Sequence, residues 1–133
     1  MYKSIKYIFY LFIIFLFKGC SETEIRSMEV TATAYNSVKE QTSNDPFFTA
    51  FGDTLKPGTK VIAISRDLLD SGIHHNMEVT IEGLEGKYKV VDLMNSRWTK
   101  KIDIYMGTDI SKAKEWGQQK VIISWVPEKE NSK

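Results

Sequence analysis

Alternation of apolar and polar positions dominates the chain from Met28 onward. Met28, Val30, Ala32 and Ala34 alternate with Glu29, Thr31 and Thr33, the period-two pattern of a strand with one buried face. Met77, Val79 and Ile81 repeat the pattern. Gly83-Leu84-Glu85-Gly86 then predicts a hairpin turn into a strand over Lys87–Asp92. Val61–Ile64 is a short continuous apolar run behind the turn signal Lys56-Pro57-Gly58. In Lys101–Met106, alternation puts Ile102, Ile104 and Met106 on one face and Lys101, Asp103 and Tyr105 on the other. Val121–Trp125 is the last predicted strand. Helical spacing occurs twice. Arg66–Ser71 makes about one turn before Gly72, and Asp109–Trp116 has Asp109 as N-cap, Ile110, Ala113 and Trp116 along one side, and Gly117 as a stop. Asn36–Gly52 is rich in Ser, Thr, Asn and Pro and reads as a long ordered loop. Six short strands, one or two short helices and no internal repeat predict a mainly β domain closed into a small barrel.

The first residues follow another logic. Lys3 and Lys6 accompany an apolar run over residues 5–17, which ends at Lys18-Gly19-Cys20-Ser21. A basic start, about a dozen apolar residues and a small residue fit a secretory signal, and the run is short of the ~20 residues of a membrane span. Cys20 stands directly after Gly19, where a bacterial lipoprotein signal carries the cysteine that is acylated. The alternative is an uncleaved signal anchor. Both place the domain in the cell envelope; the lipoprotein alternative tethers it by lipid on the periplasmic or outer-membrane side. The expected organisation is a signal over 1–19, a polar tether over 20–27, the barrel over 28–126 and a polar tail over 127–133.

Composition narrows the function. The 133 residues carry 18 basic and 17 acidic side chains, so no basic excess is available for a nucleic-acid backbone. Removal of residues 1–19 takes three lysines and no acid, leaving 15 basic and 17 acidic side chains, a formal −2. One cysteine excludes an internal disulfide framework and a multi-cysteine zinc site. His74 and His75 are adjacent, point oppositely in extended chain and make a poor metal pair; no metal or cofactor is expected. No Gly-x-Ser-x-Gly elbow and no Gly-rich phosphate loop occur. Lys87, Lys89, Lys100 and Lys101 read as a solvated face rather than a recognition patch, with contact to an anionic glycan as the alternative.

Candidate chemistry centres on two aspartates. Asp92 ends one strand and Asp103 lies inside the next, between Ile102 and Ile104, although Asp is disfavoured in strands. Asp103 is either a surface carboxylate paired with Lys101 or a group with a chemical task. The loop between them, Ser96-Arg97-Trp98-Thr99-Lys100, can bring both carboxylates to one rim. Arg97 suits a sugar carboxylate, and Trp98 is either a platform for a sugar ring or a plug in one end of the barrel.

From about Val30 to Trp125 the sequence resembles the three-aspartate (3D) domain family, double-psi β-barrels found in membrane-bound lytic transglycosylase A and in stationary-phase muralytic proteins. Val30-Thr31-Ala32-Thr33-Ala34-Tyr35 resembles the family's opening strand. Thr49-Ala50-Phe51-Gly52 with Gly58–Ile64 resembles its Thr-Ala-x-Gly turn and following strand. Asp92, then Asp103-Ile104-Tyr105-Met106-Gly107, Ala113–Gly117 and Val121–Ile123 form the most specific block. The sequence departs from the family at its first aspartate, where Ser65-Arg66 stands with Asp67 and Asp70 further on. The family's Gly-rich loop after the second aspartate is also replaced, by Leu93–Lys100. The resemblance implies a six-stranded double-psi barrel and a lytic transglycosylase that cleaves peptidoglycan glycan strands, with Asp103 as acid/base and Asp92 as its tuning partner. It makes Thr49, Tyr35 and Tyr105 candidate substrate contacts, beside Arg97 and Trp98, which the loop's own chemistry suggests and which stand where the sequence departs from the family. A non-catalytic peptidoglycan-binding lipoprotein on the same barrel is the alternative.

Overall fold

The computed structural model describes residues 22–37 and 48–128. The signal segment, Cys20, most of the tail and the middle of the long loop lie outside the described residues. Six strands follow one another as β1 (Arg26–Tyr35), β2 (Val61–Ile64), β3 (Glu78–Ile81), β4 (Tyr88–Leu93), β5 (Lys101–Tyr105) and β6 (Gln119–Trp125). Two short helices, α1 (Asp67–Asp70) and α2 (Ile110–Trp116), interrupt them. The strands close into a barrel in the order β1-β5-β2-β4-β3-β6. The pairs β1/β5 and β2/β4 are parallel and the other four antiparallel. The mainly β, six-stranded barrel expected from the sequence is the fold observed.

The alternation works as expected. Val30, Ala32, Ile62, Ile64, Val79, Ile81, Val90, Ile102, Ile104, Val121, Ile123 and Trp125 fill the interior, with Leu68 of α1 and Ile73 added to the same cluster. β1 begins two residues early for the predicted tether, because Arg26 and Ser27 pair with Trp125 and Ser124 of β6. Asp109 caps α2 by accepting from the Lys112 N–H at 3.0 Å, and Gly117, at φ 63°, ends it in a conformation few other residues adopt. Ile110 on that helix stays exposed, while Trp116 packs on the core.

β2 is apolar on both faces because both are covered. Ile62 and Ile64 point inward; on the outside Val61 joins a second cluster with Leu55, Val91, Tyr105 and Tyr35. A chain segment therefore lies over one flank of the barrel. That flank carries both candidate aspartates.

Candidate active site

Cross-strand register builds the site. Asp103 on β5 pairs with Thr33 on β1 and with Ala63 on β2, and Ala63 pairs in turn with Asp92 on β4. Thr33, Asp103, Ala63 and Asp92 thus form one row across four neighbouring strands. Adjacent strands lie ~4.8 Å apart, so the two aspartate backbones are separated by about 10 Å, with the methyl of Ala63 as the floor between them. Tyr35 and Tyr105 pair in the same way along β1 and β5, on the same outer face.

Asp92 reaches that face through an irregularity. Val90 points into the core, so simple alternation would send Asp92 inward as well. The register between β2 and β4 shifts at Ile62/Ala63, with Ile62 opposite Val90 but Ala63 opposite Asp92. Val91 is the extra residue of this bulge and packs in the outer cluster. Asp92 is thereby turned outward beside it. Its Oδ1 accepts the Leu93 N–H at 2.8 Å and the Ala50 N–H at 2.6 Å. The latter bond ties the Thr49–Gly52 turn to the barrel rim. Thr49 does not reach across the rim; its Oγ1 accepts from the Asp53 N–H at 3.0 Å and shapes its own turn, which Gly52 completes at φ 83°. His75 adds a second tie, with Nε2 2.6 Å from Asp53 Oδ2 and its ring stacked 4.3 Å from that of Phe51.

Asp103 is mostly buried, and burial raises its carboxyl above the usual range. A hydrogen bond donated by Thr33 Oγ1 to Asp103 Oδ1 at 3.0 Å opposes the rise, as does the charge of Lys101; Asp92 adds to it. The neighbouring Ile102 and Ile104 are not the source of this burial, since both point to the opposite side, into the core. Asp92 is the smallest of the four influences, so the tuning expected of it is shared with Thr33 and Lys101. The surface pairing of Asp103 with Lys101 considered above is absent from the ion pairs of the described residues.

Tyr35 and Tyr105 differ in a way that matters. Their rings lie 5.4 Å apart. Tyr105 Oη shares a 2.7 Å hydrogen bond with Ser37 Oγ, beneath the entry to the long loop. Asn36, buried beside it, donates from Nδ2 to the carbonyls of Gly107 and Asp109 at 3.2 and 3.0 Å and fixes where that loop leaves β1. Tyr35 Oη is buried with no partner among the described residues. Burial, Asp92 and Asp103 all raise its phenol pKa, so the hydroxyl stays protonated beside both carboxylates. An unsatisfied buried donor costs about 1–3 kcal/mol.

The 94–100 loop stands beside this row. Trp98 does not plug the barrel: it belongs to neither apolar cluster and is 37% exposed. Arg97 Cζ lies 4.8 Å and Lys101 Nζ 3.6 Å from the centre of its ring. Lys101 is not part of a solvated face, being only 9% exposed. Ser65, standing where the family has its first aspartate, is fully buried and anchors β5, accepting the Lys101 N–H on Oγ at 3.0 Å. Asp67 accepts the Lys100 N–H at 2.9 Å and so holds the end of the loop, outside the carboxylate row; Asp70 is exposed. Thr33, Ala63 and Lys101 were not singled out as site residues by the sequence. Thr33 has the outward parity of Tyr35, which is the one local signal it offers.

No group of three or more His, Cys, Asp or Glu side chains placed to hold a metal occurs among the described residues. No protein-family model matches the chain, and no curated protein matches it. Similar solved structures include two of the expansin of Clavibacter michiganensis. A point mutant in complex with cellohexaose has a TM-score of 0.46 and 12% identity, and the apo protein 0.46 and 14%. Each likeness covers 81% of this chain and 53% of the expansin, so the chain spans about half the length of those proteins.

Proposed function

We propose that the protein is a peptidoglycan lytic transglycosylase of the cell envelope, held there by lipid on Cys20, in which Asp103 is the single acid/base. The observation that carries this reading is the Asp103 carboxyl: mostly buried on the outer barrel face, raised in pKa, and near the Tyr35 hydroxyl, which has no partner among the described residues. The resemblance of Asp103-Ile104-Tyr105 to the family's acid supports it. In the reaction Asp103 protonates the glycosidic oxygen between N-acetylmuramic acid and N-acetylglucosamine, and the C1–O bond breaks. The C6 hydroxyl oxygen of the same muramic acid ring attacks C1, and its proton returns to the Asp103 carboxylate. Atoms balance without water, and the product ends in a 1,6-anhydro ring. One carboxyl suffices because donor and acceptor are the same group at successive moments; the paired carboxylates of a hydrolase are not needed. Asp92 holds the Thr49–Gly52 turn and adds negative charge near the acid.

A binding-only role is favoured by one feature. Thr33 and Lys101 both act to keep Asp103 ionised, which suits a carboxylate that accepts sugar hydroxyls. Mass spectrometry of purified peptidoglycan incubated with the protein separates the two. Anhydromuropeptides support the transglycosylase, and retention on peptidoglycan without products supports the binder.

A further inference from the structure

The Thr49–Gly52 turn belongs to a circuit of contacts that begins and ends on β4. The turn is braced within itself: the Thr49 N–H donates to the Asp53 carbonyl and the Gly52 N–H to the Thr49 carbonyl, each at 3.0 Å. The Asp53 N–H adds its bond to Thr49 Oγ1. A unit so braced moves as one body, so a hold on Asp53 is also a hold on Ala50. At one corner the Ala50 N–H meets Asp92 Oδ1 on β4. At the other, His75 Nε2 lies 2.6 Å from Asp53 Oδ2. An ionised carboxylate only accepts, so Nε2 carries the proton of that bond. The stack on Phe51 sets the plane of the ring. His75 is in turn rooted in the same strand as Asp92. Its neighbour Asn76 donates its N–H to the Val90 carbonyl at 2.8 Å, in a left-handed conformation (φ 68°) that asparagine tolerates. Val90 and Asp92 are two positions apart on β4.

We infer that His75 is a positioning residue of the candidate site: through Asp53 it sets the turn that aims the Ala50 N–H at Asp92, and so fixes the Asp92 carboxylate beside Asp103. This role rests on the acid/base reading of Asp103 and adds a residue that does not touch the reacting atoms. Released from Ala50, Asp92 Oδ1 keeps the bond from its own neighbour, the Leu93 N–H, which leaves the side chain freer to turn toward solvent. Its charge then acts on Asp103 from farther away and through water, so it raises that carboxyl less.

The test is NMR of the isotope-labelled protein without substrate. His75→Phe keeps a ring against Phe51 and lacks the N–H. Exchange of the Ala50 amide should quicken about tenfold while the amides of β5 stay protected. The titration of the Asp103 carboxyl should move to lower pH. His75→Gln, which carries an N–H at a similar reach, should restore both. In an Asp92→Asn background, His75→Phe should leave the Asp103 titration unmoved, because the charge it positions is gone. Unchanged exchange at Ala50 overturns the clasp. So does an Asp103 titration that stays in place once Ala50 is released. A shift of the same size with and without the Asp92 charge overturns the route through Asp92. Lost protection across the barrel in both His75 variants marks a purely structural histidine and overturns the role as well. Turnover is read separately: a wild type that forms no anhydromuropeptides overturns the acid/base reading, and the NMR results still decide whether His75 positions Asp92.

Discussion

Asp103→Asn separates the chemistry of the acid from its part in the fold. Asparagine keeps the shape of the side chain, and its carbonyl oxygen still accepts from Thr33 Oγ1, now 3.0 Å from Asp103 Oδ1. It transfers no proton. Turnover of peptidoglycan should fall by about 10²–10⁴, or about 2.7–5.4 kcal/mol on the barrier, while glycan binding survives. Stability should move the other way. Because the folded carboxyl titrates above its unfolded value, its stabilising contribution is fully present below the unfolded pKa of ~3.9 and is lost as pH rises through the folded pKa. Asparagine does not titrate and suffers no such loss. The variant should therefore match the wild type at pH 3, gain on it as pH rises, and keep a constant advantage once Asp103 is ionised. Each pH unit between the folded and unfolded titrations is worth about 1.4 kcal/mol, which in a domain of this size is several degrees of Tm. Thermal melts from pH 3 to 8, alongside assays of anhydromuropeptide release, read both effects. Wild-type turnover with an unchanged circular dichroism spectrum would refute the catalytic assignment. A stability difference equal at every pH would refute the raised titration.

The neighbours of Asp103 should shift the alkaline limb of the pH–rate profile in opposite directions. Thr33→Val removes a bond to the ionised form and moves the limb to higher pH, whereas Asp92→Asn removes a negative charge and moves it to lower pH; profiles of kcat read both signs. Tyr35→Phe should raise stability by about 1 kcal/mol, since a buried hydroxyl without a described partner is lost, and at the same time weaken glycan binding. Denaturant titration and calorimetry check the pair, and a variant that binds as well as wild type removes Tyr35 from the site. Deletion of Val91, unlike most deletions within a strand, should leave a folded barrel with Asp92 still opposite Ala63. Its cost is the packing of one valine, about 1.5–3 kcal/mol, and a chain that fails to fold would contradict the bulge argument.

Much of the barrel is legible along the chain because alternation is a local property. Whether Ile102 and Ile104 face the core, and Lys101, Asp103 and Tyr105 face away, follows from their spacing alone. So do the cap at Asp109 and the stop at Gly117. The partners of those outward residues are not local. Thr33 meets Asp103 through a parallel pairing that joins positions 70 residues apart, and no pattern within either strand specifies that register. Asp92 shows the limit most plainly: its own strand's alternation points it inward, and only the shift against β2 turns it to the site. Lys101 reads as solvated because lysine usually is; its burial depends on where the 94–100 loop lays Trp98. The sequence by itself determined the strands, their inward faces and the outward position of the Asp103 carboxyl, since side-chain parity is set by the backbone of each strand. The tertiary structure decided which groups surround that acid, because register, bulges and loop placement are settled between segments far apart in the chain.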